Sequence, residues 1–165
     1  ITAVSYAHGA FHEEMSEART PRNKKLFSSY FAWREKDIPS SFIQENNSVW
    51  RHLYKRFGGL IWKSYIVKKH LSELNEGEFL FYHDSDCEIK KDVNFLVDSA
   101  AANDGMFHLS TGLSEKIYTK RRCLKKLLCD TDDFFGEQWM TTLFLLQKNP
   151  FTVDFSRPTL KEQKN

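Results

Sequence analysis

With 165 residues, 41% of them hydrophobic and 28% charged, the chain can bury one substantial core and is neither disordered nor fibrous in composition. Its 24 basic and 22 acidic residues leave a formal charge of +2, which argues against a dedicated nucleic-acid binder, whose footprint is a strong basic excess. No apolar run approaches the roughly 20 residues of a membrane span, and Cys87, Cys123 and Cys129 fit no metal-binding spacing, so they read as reduced thiols of a cytoplasmic protein.

In chain order, Ile1 to Ala7 reads as a first strand and His8-Gly9 turns the chain. Phe11 to Arg19 predicts a helix that Pro21 ends or kinks, with a second short helix over Arg22–Ser28. A strand follows at Tyr30–Arg34, and Pro39 with two serines opens a small helix. Val49, Leu53 and Phe57 recur at helical spacing over Ser48 to Arg56. After Gly58-Gly59, the apolar stripe Ile61, Trp62, Tyr65, Ile66, Leu71 and Leu74 marks a longer helix, ended by Asn75-Glu76-Gly77.

Phe79 to Tyr82 is an uninterrupted apolar run and predicts a buried strand. Asp92 is placed to cap a helix through Ala101, and Gly105 to Leu109 reads as a strand. Thr119 is placed to cap a basic helix ending near Cys129, and Thr142 to Gln147 reads as a late strand. His108, on a strand, reads as a satisfied core residue. Strands alternating with helices predict one α/β domain with mostly parallel pairing. In such sheets ligands bind beyond the carboxyl ends of the strands, here after Ser5-Tyr6-Ala7 and after His83-Asp84.

The second of these ends carries FLFYHDSDCEI, with three acids in five positions. In extended geometry Asp84 and Asp86 share a face, while His83 points the other way and is not expected as a ligand. Two converging carboxylates need a cation or must take up a proton, and hard oxygen donors suit Mg²⁺ or Mn²⁺. The same spacing also suits a turn opened by Asp84 with Asp86 as a cap. A haloacid-dehalogenase-like phosphatase would use the first Asp as nucleophile, but its motif has Thr or Val where Glu88 stands. A restriction-type nuclease would use Glu88-Ile89-Lys90 as E-x-K, but its Asp lies on a separate strand.

Five segments in order carry a more specific resemblance: VSYAHG at 4–9, RFGGLIWKSYI at 56–66, FLFYHDSDCEI at 79–89, YTKRRC at 118–123 and EQWMTTLFLLQKN at 137–149. Together the chain resembles the GT-A-fold glycosyltransferases of viral and bacterial glycan synthesis. It differs at Leu60, Ser64, Arg122 and Thr141-Thr142, where that pattern has Trp, Pro, Asp and Ala-Gly. No H-x-x-D-Q-like segment of that family is found in it, and the resemblance would make residues 1–165 a C-terminally short member.

The resemblance implies a single GT-A, Rossmann-like domain that takes Mn²⁺ or Mg²⁺ and a nucleotide-diphosphate sugar. A UDP-sugar is favoured over a GDP-sugar, and the acceptor is a glycan or other hydroxyl. Asp84 and Asp86 would address metal and diphosphate, and Ser5, Tyr6 and Ala7 would line the nucleotide pocket. Lys63 would touch phosphate, or be a solvated helix lysine. Trp62 would be a sugar platform, or core. Lys120 and Arg121 would reach the diphosphate, and Gln138 the sugar or acceptor. A base for the acceptor hydroxyl would come from Glu137, Asp132 or Asp133. A non-catalytic nucleotide-sugar-binding domain is the alternative outside enzyme chemistry.

Overall fold

The computed structural model describes residues 1–47, 50, 61–114, 117, 121–126 and 136–155. The first strand, β1, spans Thr2–Ala7 and is buried from Ala3 onward. Gly9, at φ 80°, turns the chain into helix α1 (Ala10–Leu26) in a left-handed conformation that a side chain would oppose. The sequence predicts a helix ended or kinked by Pro21 and a second one over Arg22–Ser28, yet a single α1 runs through Pro21. Tertiary anchors hold the helix together: Arg19 donates to the Ser85 carbonyl (2.6 Å) and Arg22 to the Lys90 carbonyl (2.7 Å).

Strand β2 follows at Ser29–Arg34, a short 3-10 turn at Glu35–Asp37, and helix α2 at Ser40–Glu45 behind Pro39. The helix predicted over Ser48 to Arg56 lies outside the described residues, apart from Trp50, which is buried. Helix α3 (Ile61–Glu73) then buries Trp62, Lys63, Ile66, Val67, His70 and Leu71. Lys63 and His70 on the inner stripe are the departures from the predicted apolar face.

Strand β3 (Phe79–Asp84) is buried over Leu80–His83. The helix expected from Asp92 divides into a 3-10 turn at Asn94–Leu96 and a short helix α4 (Val97–Ala101). Asp92 does cap: its Oδ1 accepts the Asn94 N–H at 3.1 Å. Strand β4 (Met106–Ser114), helix α5 (Arg121–Lys126), strand β5 (Glu137–Gln147) and helix α6 (Pro150–Phe155) complete the described elements.

The five strands form one sheet in the order β2-β1-β3-β5-β4. β1 is parallel to both β2 and β3, but β5 is antiparallel to β3 and to β4. The sheet is therefore mixed and parallel at one end only, which corrects the prediction of mostly parallel pairing. β5 returns from the end where β4 finishes and inserts between β4 and β3. Parallel pairing with β4 would have required a crossover back to the other end of the sheet.

The sheet separates two cores. Val4, Tyr6, Leu80, Tyr82 and Leu146 pack beneath Trp62, Ile66, Val67 and Leu71 of α3. On the other face Ala3, Phe81 and Leu145 pack with Phe27, Tyr30, Ile89, Val93 and Ala100. No helix among the described residues is long and apolar enough to cross a membrane.

Candidate functional site

The connections leave β1 for β2 on one side and reach β3 on the other, so β1 and β3 flank the point where the strand order diverges. Their carboxyl ends are in register, with Tyr6 opposite Asp84. In open α/β sheets this crevice is where ligands bind. The Glu137–Thr142 part of β5 continues past His83, the last residue of β3 with a partner on β5, and overhangs the same end.

Asp84 is partly exposed, and its Oδ1 receives two contacts. Tyr82 donates its hydroxyl at 2.6 Å, and the Lys63 ammonium lies at 2.9 Å. Tyr82 and Asp84 share a face of β3 because they are two residues apart. Burial first, and the Asp84 charge next, push the Tyr82 phenol far above its ordinary pKa, so it stays a donor. Lys63 also donates to the Thr141 carbonyl of β5 at 2.9 Å and sits over the Tyr82 ring at 4.7 Å. It is therefore neither a solvated helix lysine nor an open phosphate contact. It is tied to Asp84.

Asp86 is exposed, and it does not continue the strand as extended geometry predicts. The Cys87 N–H donates to the Asp84 carbonyl at 3.0 Å, closing a turn over Ser85 and Asp86. Of the two sequence alternatives, the structure shows the turn opened by Asp84. The Cys87 thiol registers both carboxylates, its pKa raised first by burial and then by Asp86 and Asp84. Arg19 pins the turn from α1 through the Ser85 carbonyl. Glu88 pairs with Arg22 at 2.9 Å and so stands away from the two aspartates' work.

His83 projects to the opposite face, as alternation requires. Its Nδ1 lies 2.9 Å from the Asp84 carbonyl, its Nε2 lies 3.2 Å from the Tyr30 hydroxyl, and that hydroxyl lies 2.9 Å from Ser5 Oγ. Burial lowers the His83 pKa and favours the neutral ring. Nδ1–H then donates to Asp84 O while Nε2 accepts from Tyr30. Spacing reveals none of this chain, since it links residues far apart in sequence.

The remaining predicted residues are more dispersed. Ser5 and Ala7 are fully buried, with the Ser5 hydroxyl engaged by Tyr30 on the face away from Asp84. Tyr6 is 5% exposed and stacks on Trp62 at 3.9 Å, so both rings belong to the core beneath the site. Gln138 is half-buried and Glu137 exposed on the overhanging part of β5, where Ser110 Oγ donates to Glu137 Oε2. Arg121 is exposed at the start of α5; Lys120, Asp132, Asp133, Thr119 and Cys129 lie outside the described residues.

His108 is not the satisfied core residue expected from its strand. Its ring stacks on Trp139 at 3.6 Å, while Nδ1 is buried without a hydrogen-bond partner among the described residues.

A groove of about 610 Å³ runs along β2 between α1 and α3, away from Asp84. Two of its ion pairs are already made, Arg34 with Glu17 at 2.7 Å and Lys69 with Glu73. Its histidine, His70, accepts from Trp33 Nε1 at 2.9 Å. The strand ends around Asp84 remain the better candidate.

No family model, no curated protein and no solved structure matches this chain.

Proposed function

We propose that this chain is a GT-A-like domain that binds a nucleotide-diphosphate sugar at Asp84 and Asp86 and transfers the sugar to a hydroxyl acceptor. The observation that carries the reading is the register of Tyr6 with Asp84 at the divergence of the parallel strands, with Asp86 held beside Asp84 by a turn. The ordered sequence segments around it supply the reaction class.

The donor set suits a hard divalent cation. Asp84 and Asp86 offer carboxylate oxygens, and no third His, Cys, Asp or Glu side chain completes a cluster with them among the described residues. Mg²⁺ and Mn²⁺ are commonly held this way, by one or two carboxylates with substrate phosphates and water filling the other positions. A bound ion would supply electrostatic stabilisation of the diphosphate as the glycosidic bond breaks.

In transfer, the bond from the anomeric carbon to the diphosphate oxygen breaks and a bond to the acceptor oxygen forms. The acceptor proton passes to a carboxylate, for which Glu137 is the candidate among the described residues. Asp84 orients the diphosphate with its Oδ1 fixed by Tyr82 and Lys63. The overhanging β5, carrying Gln138, would face the sugar or acceptor.

The test is calorimetric titration of the chain with Mn²⁺ together with UDP- or GDP-sugars, comparing wild type with Asp86→Asn. Metal-dependent nucleotide binding that weakens at least about tenfold in the variant supports the site. Equal binding in both overturns it. Tight binding without donor hydrolysis or transfer would assign a non-catalytic binding domain instead.

A further inference from the structure

We propose that Lys63 is a resident counter-ion that makes divalent-metal binding at Asp84 and Asp86 conditional on the nucleotide diphosphate. This rests on the reading above and adds its order of assembly.

The geometry is specific to Lys63. Its side chain is 10% exposed, on the inner stripe of α3 between Trp62 and Ile66. The ammonium has fixed partners on two strands, Asp84 Oδ1 of β3 and the Thr141 carbonyl of β5, each at 2.9 Å. It also lies over the rings of Tyr82 at 4.7 Å and Trp62 at 5.6 Å. Aromatic faces and two oxygens favour a cation at this point, and packing keeps it from swinging into solvent.

The consequence is electrostatic. Two carboxylates in one turn would present two negative charges to a metal, but Lys63 already offsets one of them. Affinity at an oxygen site follows the charge count of its ligands, so the protein alone holds Mg²⁺ or Mn²⁺ weakly. A diphosphate brings further negative charge and oxygens, and the three-component complex forms where the binary metal complex does not. By reciprocity the metal raises nucleotide affinity by the same factor. Lys63 acts through Asp84 and is a positioning residue, not a catalytic one.

The experiment titrates Mn²⁺ alone, by calorimetry, into wild type, Lys63→Gln and Lys63→Gln/Asp84→Asn. Gln removes the charge and keeps an N–H group, on a side chain one bond shorter than that of Lys. Mn²⁺ alone should bind Lys63→Gln about tenfold tighter than wild type, and the gain should disappear in the double variant. Equal Mn²⁺ affinity in wild type and Lys63→Gln overturns the inference.

A measurement on wild type covers a variant that fails to fold. The ¹⁵N resonance of the Lys63 ammonium should stay in place with Mg²⁺ alone and shift with Mg²⁺ plus UDP. A full shift with Mg²⁺ alone overturns the inference. Failure of wild type to bind Mn²⁺ even with UDP would instead overturn the functional reading on which it rests.

Discussion

The ammonium of Lys63 and the Oδ1 of Asp84 lie 2.9 Å apart, one side chain 10% exposed and the other 32%. The pair joins α3 to the end of β3, and Tyr82 completes it by donating to the same oxygen at 2.6 Å. A carboxylate that follows an apolar strand thus has a structural partner before any ligand arrives. The two aspartates of the motif consequently differ, and that difference can be measured.

Asp84→Asn should destabilise the fold, because a buried ammonium would then keep the Thr141 carbonyl but lose its counter-charge. The expected loss is about 3 kcal/mol, the low end of the cost of removing one partner from a buried ion pair, since Asp84 is partly exposed. Asp86 is exposed in its turn, so Asp86→Asn should stay within about 0.5 kcal/mol of wild type. Urea unfolding of both variants checks this, and equal losses would contradict it. The asymmetry makes Asp86→Asn the cleaner probe of ligand binding.

The pH dependence of stability should follow the buried histidines. Burial lowers the pKa of His83 and of His70, and to that extent the fold prefers neutral rings. The unfolded chain then binds more protons than the folded one below the ordinary imidazole pKa of about 6.5. Stability is fully present above that pH and is lost as pH falls toward the folded values. Each ring contributes at most about 1.4 kcal/mol per pH unit in that window. Urea midpoints at pH 7.5, 6.5 and 5.5 should decline in order, and replacing His83 with Gln should flatten the decline.

Cys87 should react slowly with alkylating reagents at pH 8, since burial and then the Asp86 and Asp84 carboxylates disfavour its thiolate. Asp86→Asn removes one of the charges and should speed Cys87 alkylation several-fold. Peptide mapping after timed iodoacetamide treatment separates Cys87 from Cys123 and Cys129. An unchanged rate would mean that the Asp86 carboxylate points away from the thiol.

Pro21 should be a correctable weakness. Its ring sits inside α1, where it removes the N–H that would bond the Glu17 carbonyl. Thr20 already bonds the Ser16 carbonyl at 2.7 Å, and Arg19 and Arg22 hold the helix to the loop after β3. Pro21→Ala should therefore raise stability by about 1–3 kcal/mol in urea denaturation. A loss of stability would show that the ring packs favourably enough to outweigh the missing hydrogen bond.

Residue patterns reached the local elements. The apolar-rich run Ile1 to Ala7 and the apolar run at Phe79 to Tyr82 are the signals of β1 and β3, and the spacing of Trp62, Ile66 and Leu71 is that of α3. Alternation also put His83 on the opposite face from Asp84. It carried less well past the strand end, because Asp86 lies in a turn and not on an extended strand. The pairing of Tyr82 with Asp84 was open to the same two-residue logic, as i and i+2 on one strand.

The chain by itself determined strands β1 and β3, helix α3, and where two acids follow a buried strand, because those features depend on neighbours within a few positions. Only the tertiary structure decided that α1 runs through Pro21, that β5 lies antiparallel between β3 and β4, and that Lys63 faces Asp84. Each of these depends on contacts between residues far apart in sequence. Arg19 holds α1 to the turn after β3, β5 takes the direction of a return from β4, and the ammonium of Lys63 finds its oxygens on two strands at once. Periodicity treats a lysine on an apolar stripe as an exception, and only the fold supplies the carboxylate that accounts for it.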